Sequence, residues 1–245
     1  MEVTVIGFWG GFPKVNEATS GYLVESDGFK LLVDCGSAVL AKLQEYLTID
    51  ELDAVILSHY HHDHIADVGP LQYARYVTTI INGKGKTLPI YGHKLDKEGF
   101  KKLTYKDATI GIEYTSEQVV SVGPFTISFL ETSHPAPCFA MKITDHKSTV
   151  IYTADSSYKH EFIPFSNKAD LLIAECSLYS HQDGAKMGHM NSREVGEIAQ
   201  KAGVNQLLIT HLPHFGDHND LKRDAENIFS GKVLLAKSGL KINCS

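Results

Sequence analysis

The segment His59-Tyr60-His61-His62-Asp63-His64 concentrates imidazole and carboxylate side chains within six residues. Such groups are costly to bury without partners, so a hydrophobic core has no use for a run of them. Imidazole nitrogen and carboxylate oxygen are ligands that zinc, iron and manganese accept. The segment therefore predicts a site for divalent metal ions, against the alternative of a solvated histidine-rich loop.

The spacing inside this loop suggests how the ligands divide. His59 and His61 can point the same way and hold one ion, whereas Asp63 and His64 turn toward a second position nearby. We expect His62 to face elsewhere, at the surface or behind the ligands. Two coordination spheres need more donors than this loop offers.

Elements along the chain place further donors at the ends of β-prone runs. Residues 53–58 read as a short buried strand, so the histidine loop lies at its carboxyl end, where open α/β sheets usually place their chemistry. Three later apolar or alternating runs end in the same manner. They deliver His134 after 125–130, Asp155 after 148–153 and His211 after 206–210.

This pattern resembles the metallo-β-lactamase superfamily, which has a His-x-His-x-Asp-His loop followed by separate His, Asp and His ligands. The resemblance extends from about Val3 to Ile242. It implies one metal ion on His59, His61 and His134, and a second on Asp63, His64 and His211, with Asp155 bridging the two. Asp34, which ends a strand before a glycine, is expected to support the histidines by hydrogen bonding.

Composition and periodicity are compatible with that family's four-layer αββα sandwich, an α/β fold. With 245 residues, 43% of them apolar, and no linker-like segment, residues 1–245 are expected to form a single domain. Helices are predicted near 38–47, 68–79, 192–202 and 219–229. Strands are predicted near 3–7, 18–25, 30–34, 88–91, 112–122, 125–131, 138–144, 148–153, 171–175 and 206–210.

Two residues outside the ligand set indicate the reaction. Glu175 ends the apolar run 170–174, and His189 lies just before a helix for which Asn191 or Ser192 is a suitable N-cap. This arrangement is similar to ribonuclease Z and its phosphodiesterase relatives, where a Glu–His pair accompanies the dinuclear site. The resemblance implies that Glu175 orients His189 and that His189 faces the phosphate. A solvated histidine at the helix cap is the alternative.

The chemistry that follows is cleavage of a phosphodiester by metal-activated hydroxide. Two divalent ions lower the pKa of a bound water and neutralise phosphate oxygens. His189 is expected to stabilise the transition state or to protonate the leaving oxygen, and Asp63 is expected to orient the nucleophile besides binding metal. Zinc is the expected metal because the site is rich in histidine, and manganese and iron are alternatives.

The expected substrate is small. Ribonuclease Z inserts a tRNA-gripping arm between the third-motif His and the bridging Asp, but His134 and Asp155 are only 21 residues apart. The net charge of −6 gives no general attraction to nucleic acid. Residues 82–106 hold seven lysines against two acids, either a solvated surface or a basic flap for phosphate. A short RNA, an oligonucleotide or a cyclic nucleotide is favoured over full tRNA.

The loop Phe8-Trp9-Gly10-Gly11-Phe12-Pro13 is ambiguous, because its aromatic residues either stack on a base or pack a sheet edge. His214 and His218 either line the pocket or lie at the surface.

The residue types and their spacing also bear on alternative functions and on the location of the protein. Hydrolysis of a lactone, a thioester or another carboxylic ester on the same metal site is the alternative function, and it would leave His189 without a task. A redox di-iron protein is disfavoured because no flavin-binding domain accompanies the chain. Four cysteines without paired spacing, no basic leader and no long apolar segment predict a cytoplasmic protein that is not in a membrane. Relatives are often dimers, so the resemblance is compatible with a homodimer.

Overall fold

The computed structural model describes residues 1–83 and 85–244, which form two β-sheets packed face to face, with helices on their outer sides. Strands of the first sheet are β1 (Glu2–Gly7), β2 (Gly21–Ser26), β3 (Phe29–Val33), β4 (Ala54–Ile56), β5 (Leu88–Gly92), β6 (Thr109–Glu113) and β14 (Lys241–Asn243). Strands of the second are β7 (Val119–Val122), β8 (Phe125–Glu131), β9 (Phe139–Thr144), β10 (Thr149–Tyr152), β11 (Leu171–Glu175), β12 (Gln206–Thr210) and β13 (Lys232–Leu235). The predicted αββα sandwich is confirmed.

Both sheets are mixed in the same way. The first has the order β14-β1-β2-β3-β4-β5-β6, antiparallel up to β3 and parallel from β3 to β6. The second has the order β13-β12-β11-β10-β9-β8-β7, antiparallel from β7 to β10 and parallel from β10 to β13. The carboxyl ends of β3, β4, β10, β11 and β12 carry the residues singled out above.

The helices are α1 (Val39–Leu43), α2 (His62–Ile65), α3 (Val68–Asn82), α4 (Lys97–Lys101), α5 (Phe162–Phe165), α6 (Ser192–Ala202) and α7 (His218–Glu226). Alternation along β3 shows how the layers form, because successive side chains of a strand point to opposite faces. Leu31 and Val33 join the core between the sheets, whereas Leu32 joins the core that α1 and α3 cover. Strands buried on both faces read as apolar runs, which is why they are visible in the sequence.

The predicted strand at 112–122 was wrong. The chain leaves the edge of the first sheet after β6 and begins the edge of the second at β7, so this stretch connects the sheets. A turn in which the amide of Thr115 donates to the Gln118 side chain separates the two strands. The short strands β13 and β14 and the helices α2, α4 and α5 were not predicted. Among the described residues, no helix is long and apolar enough to cross a membrane.

Candidate metal centre

The proposed ligands meet where the carboxyl ends of the two sheets come together. Three residues within two positions of a strand end have left-handed backbone conformations, namely Asp34 (φ 58°), Ala154 (φ 51°) and His211 (φ 53°). Non-glycine residues pay about 1–3 kcal/mol for such conformations, which concentrate at functional sites. The turns that present Asp34, Asp155 and His211 are therefore strained, and the packing around them must stabilise these conformations.

One group of donors consists of His59, His61, His134 and Asp155, whose ligand atoms all lie within 4.8 Å of one another. Nε2 of His59 lies 3.8 Å from Asp155 Oδ2, and Nε2 of His134 lies 4.0 Å from the same oxygen. Ligands 2.0–2.1 Å from a tetrahedral ion are about 3.3 Å apart, so the spread suits one divalent ion after a small contraction.

A second group consists of Asp63, His64, Asp155 and His211, again within 4.8 Å. Nε2 of His211 lies 3.1 Å from Asp63 Oδ2 and 3.4 Å from Asp155 Oδ2. Nε2 of His64 lies 3.3 Å from Asp155 Oδ1. Asp155 is the residue that the two groups share. The structure thus brings together all seven residues predicted as metal ligands.

Hydrogen bonds to residues outside the two ligand groups orient the rings of His59 and His134. In each ring the Nε2 lone pair then points toward the ligand group. Ser58 Oγ donates to Asp34 at 2.8 Å, so Nδ1–H of His59 donates to Ser58 Oγ at 3.0 Å and its Nε2 is left as an acceptor. Nδ1–H of His134 likewise donates to the carbonyl of Gly188 at 3.1 Å. Nε2 of His134 then faces Nδ1 of His61 at 3.1 Å, so the two nitrogens are close enough to bind one ion.

Buried polar atoms without partners test whether a metal ion fits. Within residues 1–83 and 85–244, Nε2 of His59, Nε2 of His64 and Oδ1 of Asp155 are buried and make no hydrogen bond. An unsatisfied buried polar group costs about 1–3 kcal/mol, and more if it is charged. All three atoms point into the two ligand groups. The donor set therefore fits divalent cations.

Asp34 is the hub of the supporting hydrogen bonds. Its carboxylate accepts from Nδ1–H of His64 at 2.7 Å, from the amide and hydroxyl of Ser58 at 2.7 and 2.8 Å, and from the hydroxyl of Tyr152 at 2.8 Å. All of these groups are buried. The geometry agrees with the supporting part predicted for Asp34, since it fixes both the tautomer and the orientation of His64.

Replacing Asp34 by asparagine is expected to weaken zinc binding about 10- to 100-fold, the usual effect of losing a partner behind a metal-bound histidine. Asparagine keeps the size of the side chain but cannot accept from all four donors. Competition with a chromophoric chelator would measure the affinity. Unchanged zinc affinity in a correctly folded Asp34→Asn protein would contradict the supporting role of Asp34.

The charges of the site favour a cation. Burial opposes the charge on Asp155, yet His211 and His64 hold the pKa of its carboxyl well below the usual range. Burial likewise opposes the charge on His64, but Asp155 and Asp34 raise its pKa well above the ordinary value. In contrast, burial and the neighbouring His64 lower the pKa of His59, which keeps this ring neutral. The carboxylates thus require positive charge, which bound metal ions would supply.

Glu175 and His189 form a pair beside the second ligand group. Nδ1–H of His189 donates to Glu175 Oε1 at 3.1 Å, and the buried carboxylate also accepts from the amide of Met190 at 2.9 Å. Burial would lower the pKa of His189, but the hydrogen bond and charge of Glu175 raise it to about 9. Helix α6 fixes the loop, because Asn191 and Glu194 cap its start reciprocally. His189 therefore has a free Nε2 on a ring that favours the charged form.

Ser177 is a residue that the sequence analysis missed. Its hydroxyl donates to Glu175 Oε2 at 3.1 Å and accepts from Nδ1–H of His211 at 2.8 Å. This link directs Nε2 of His211 inward and joins the Glu–His pair to the second ligand group. The spacing of Ser177 two residues after Glu175, just past the strand end, was the available signal.

A Ser177→Ala variant is expected to bind the second metal ion about 10-fold more weakly, since His211 loses the acceptor that sets its tautomer. Ser177→Thr keeps a hydroxyl and should restore binding. The stepwise loss of metal during dialysis against graded chelator would compare the two variants. Equal retention in Ser177→Ala and wild type would contradict the link.

Glycines allow the chain to approach the ligands closely. A Cβ at Gly10 would lie 2.8 Å from ring atoms of His211, and one at Gly36 would lie 2.0 Å from the carbonyl of Asp63. The amide of Gly11 donates to Asp63 Oδ2 at 2.8 Å. The loop after β1 is thus part of the wall of the site.

The structure also shows the surroundings of the other residues that the sequence singled out. His62 is exposed on α2 and belongs to neither ligand group. Phe8 and Trp9 are buried, so they are not exposed stacking residues, whereas Phe12 is exposed. Within the lysine-rich segment, Lys94 pairs with Glu113 and Lys101 with Glu98, while Lys84 lies outside the described residues. The cysteines at 35, 138, 176 and 244 are all buried free thiols.

The four-layer fold with donors at facing strand ends defines a class of metal-dependent hydrolases, and comparisons with known proteins agree. Residues 16–236 match the model of the metallo-beta-lactamase superfamily, and the chain belongs to that superfamily. It is 61% identical over 240 residues to the probable metallo-hydrolase YhfI of Bacillus subtilis, covering 98% of each chain. The crystal structure of YhfI superposes with a TM-score of 0.97 over 98% of each chain, at 60% identity.

A more distant relative is named for its reaction. The chain is 25% identical over 280 residues to ribonuclease Z of Methanopyrus kandleri, covering 97% of this chain and 95% of that protein. The predicted likeness to the ribonuclease Z branch is confirmed at this level of similarity.

Proposed function

We propose that the protein is a phosphodiesterase that holds two divalent metal ions, with zinc as the native metal. The observation that carries this proposal is the Glu175–His189 pair, 3.1 Å apart, beside His211 of the second ligand group. The ribonuclease Z relative, similar over nearly its whole length, supports the same reaction.

The seven ligand residues would hold the ions in the two groups described, with Asp155 common to both. Bound there, the ions would supply Lewis acidity toward water and toward the phosphate oxygens. Asp63, fixed by the amide of Gly11, is positioned to orient the attacking water.

His189 takes the part of general acid. Its Nδ1–H is held by Glu175, so Nε2–H of the charged ring is the group available to the substrate. As water attacks phosphorus it loses one proton to solvent, the bond to the leaving oxygen breaks, and that oxygen takes the proton from Nε2. The products are a phosphomonoester and a free hydroxyl, and His189 is left neutral until it is reprotonated from solvent.

A small nucleotide or short RNA is the substrate class that the surroundings favour. The segment between His134 and Asp155 is the hairpin of β9 and β10, with no room for an arm. Ion pairs also neutralise part of the lysine-rich segment, since Lys94 and Lys101 face glutamates at 2.7 and 2.6 Å. Long-range attraction of a polyanion is therefore weak.

Hydrolysis of bis(p-nitrophenyl) phosphate by zinc-loaded and manganese-loaded protein tests the proposal. A lactone, a thioester and p-nitrophenyl phosphate would be run beside it. We expect turnover of the phosphodiester, and none of the phosphomonoester, which is the class of product. Activity confined to the lactone or the thioester would show that the proposed reaction is wrong.

A further inference from the structure

Phe12 presents an aromatic surface that packing does not explain. Its side chain is 60% exposed, whereas Phe8 and Trp9 in the same loop are 5% exposed. The backbone of Trp9 forms isolated bridges with Thr19 and Leu212, which fix this part of the loop. The loop therefore buries two of its aromatic residues and leaves the third open to solvent.

The exposed ring is held in place from one side. The imidazole of His214 lies parallel to Phe12, with ring centroids 3.7 Å apart and an angle of 1°. Nε2–H of His214 is directed at the carbonyls of Phe12 and Gly10, at 2.8 and 3.1 Å. On its other side His214 stacks against Trp9, with centroids 4.8 Å apart. Two stacked rings, His214 and Trp9, thus support Phe12 from one side, and its opposite face is the open one.

Phe12 also lies next to the metal centre. The preceding residue, Gly11, donates its amide to Asp63 at 2.8 Å. Consecutive Cα atoms are about 3.8 Å apart. The Cα atom of Phe12 therefore lies about that far from the Cα atom of Gly11, which donates to the proposed ligand Asp63. A substrate with its phosphate at the ligand groups would bring its adjoining substituent into the neighbourhood of this ring.

We propose that Phe12 is a stacking surface for the nucleobase of a nucleotide phosphodiester, an inference that rests on the proposed function. A fixed ring with one free face suits any base, since every base has a π-face and stacking does not require a particular sequence. The site would recognise a base without reading its identity.

Calorimetric titration of the zinc-loaded protein with adenosine 5′-monophosphate and with ribose 5-phosphate tests this directly. The two ligands share the phosphate and the sugar and differ in the base. We expect the nucleotide to bind about 10-fold more tightly, the effect of one stacked base. Phe12→Ala should remove the preference and Phe12→Trp should keep it. Phe215→Ala, which removes another exposed phenylalanine, serves as the matched control.

Equal binding of the two ligands by wild type, or a preference that survives in Phe12→Ala, would overturn the inference. Binding needs no turnover, so this result is independent of the phosphodiesterase assay. A base preference that depends on Phe12 in a protein inactive on bis(p-nitrophenyl) phosphate would uphold the stacking surface and refute the reaction. Turnover of bis(p-nitrophenyl) phosphate without a base preference would support the phosphodiesterase reaction and refute the stacking surface.

Discussion

Asp155→Asn is expected to lower phosphodiester turnover at least about 1,000-fold and to leave at most one zinc ion per chain. Asp155 is the residue common to both ligand groups, with oxygens 3.3–4.0 Å from imidazole nitrogens of four histidines. Asparagine keeps the volume but provides only one neutral carbonyl oxygen, so neither group keeps its anionic ligand at this position. Several kcal/mol of transition-state stabilisation depend on such ions, which sets the size of the effect.

Metal content by plasma mass spectrometry and turnover of bis(p-nitrophenyl) phosphate would check both parts. Melting with and without chelator gives a further readout, because a ligand present at 100 times its Kd stabilises the folded state by about 2.7 kcal/mol. The zinc-dependent increase in melting temperature should be large in wild type and small in Asp155→Asn. Asp27→Asn, in the exposed turn between β2 and β3, is the matched control. Two tightly held ions in Asp155→Asn would contradict the shared position.

The ligand positions were predictable because each depends on a short-range pattern. A buried strand reads as an apolar run, and the polar residue that follows it lies at the carboxyl edge of the sheet. His134, Asp155 and His211 each follow such a run, so the sequence indicated them without knowledge of strand order. Glu175 ends β11 in the same manner, and its pairing with His189 was implied by resemblance.

The features that were missed depend on long-range contacts. Residues 112–122 read as one strand, because no local signal tells that β6 and β7 belong to different sheets. Ser177 acquires its importance from His211, 34 positions away in the chain. The burial of Trp9 likewise depends on Leu212. Partners separated this far in the chain cannot be read from periodicity.

His189→Ala is expected to lower kcat about 100- to 10,000-fold for phosphodiesters with an alkoxide leaving group, which needs the proton, the usual contribution of a general acid. Metal content of the two groups that contain Asp155 should be unchanged, because the donor atoms of His189 cluster with those of Glu175 and His211 instead. KM should change little, since the proton is needed chiefly in the transition state. His181→Ala, an exposed histidine of the same loop, is the matched control and should behave as wild type.

The pH profile distinguishes an acid from a residue that only maintains structure. Burial lowers the pKa of His189, but Glu175 raises it to about 9, so turnover should fall as the pH rises through the pKa of this group. Bound cations act in the opposite direction, which places the fall at or below pH 9 in the loaded enzyme. Glu175→Gln removes the negative charge, leaves burial to dominate, and should shift the fall to lower pH.

His189→Ala should lose this alkaline limb altogether while retaining its residual rate. That combination separates proton donation from substrate positioning, because a positioning residue would change the rate without changing the shape of the profile. If the alkaline limb persists in His189→Ala at the same pH, another group donates the proton. The Glu175–His189 pair would then have only a structural role. If the limb moves with Glu175→Gln and vanishes with His189→Ala, the acid is identified by two independent substitutions.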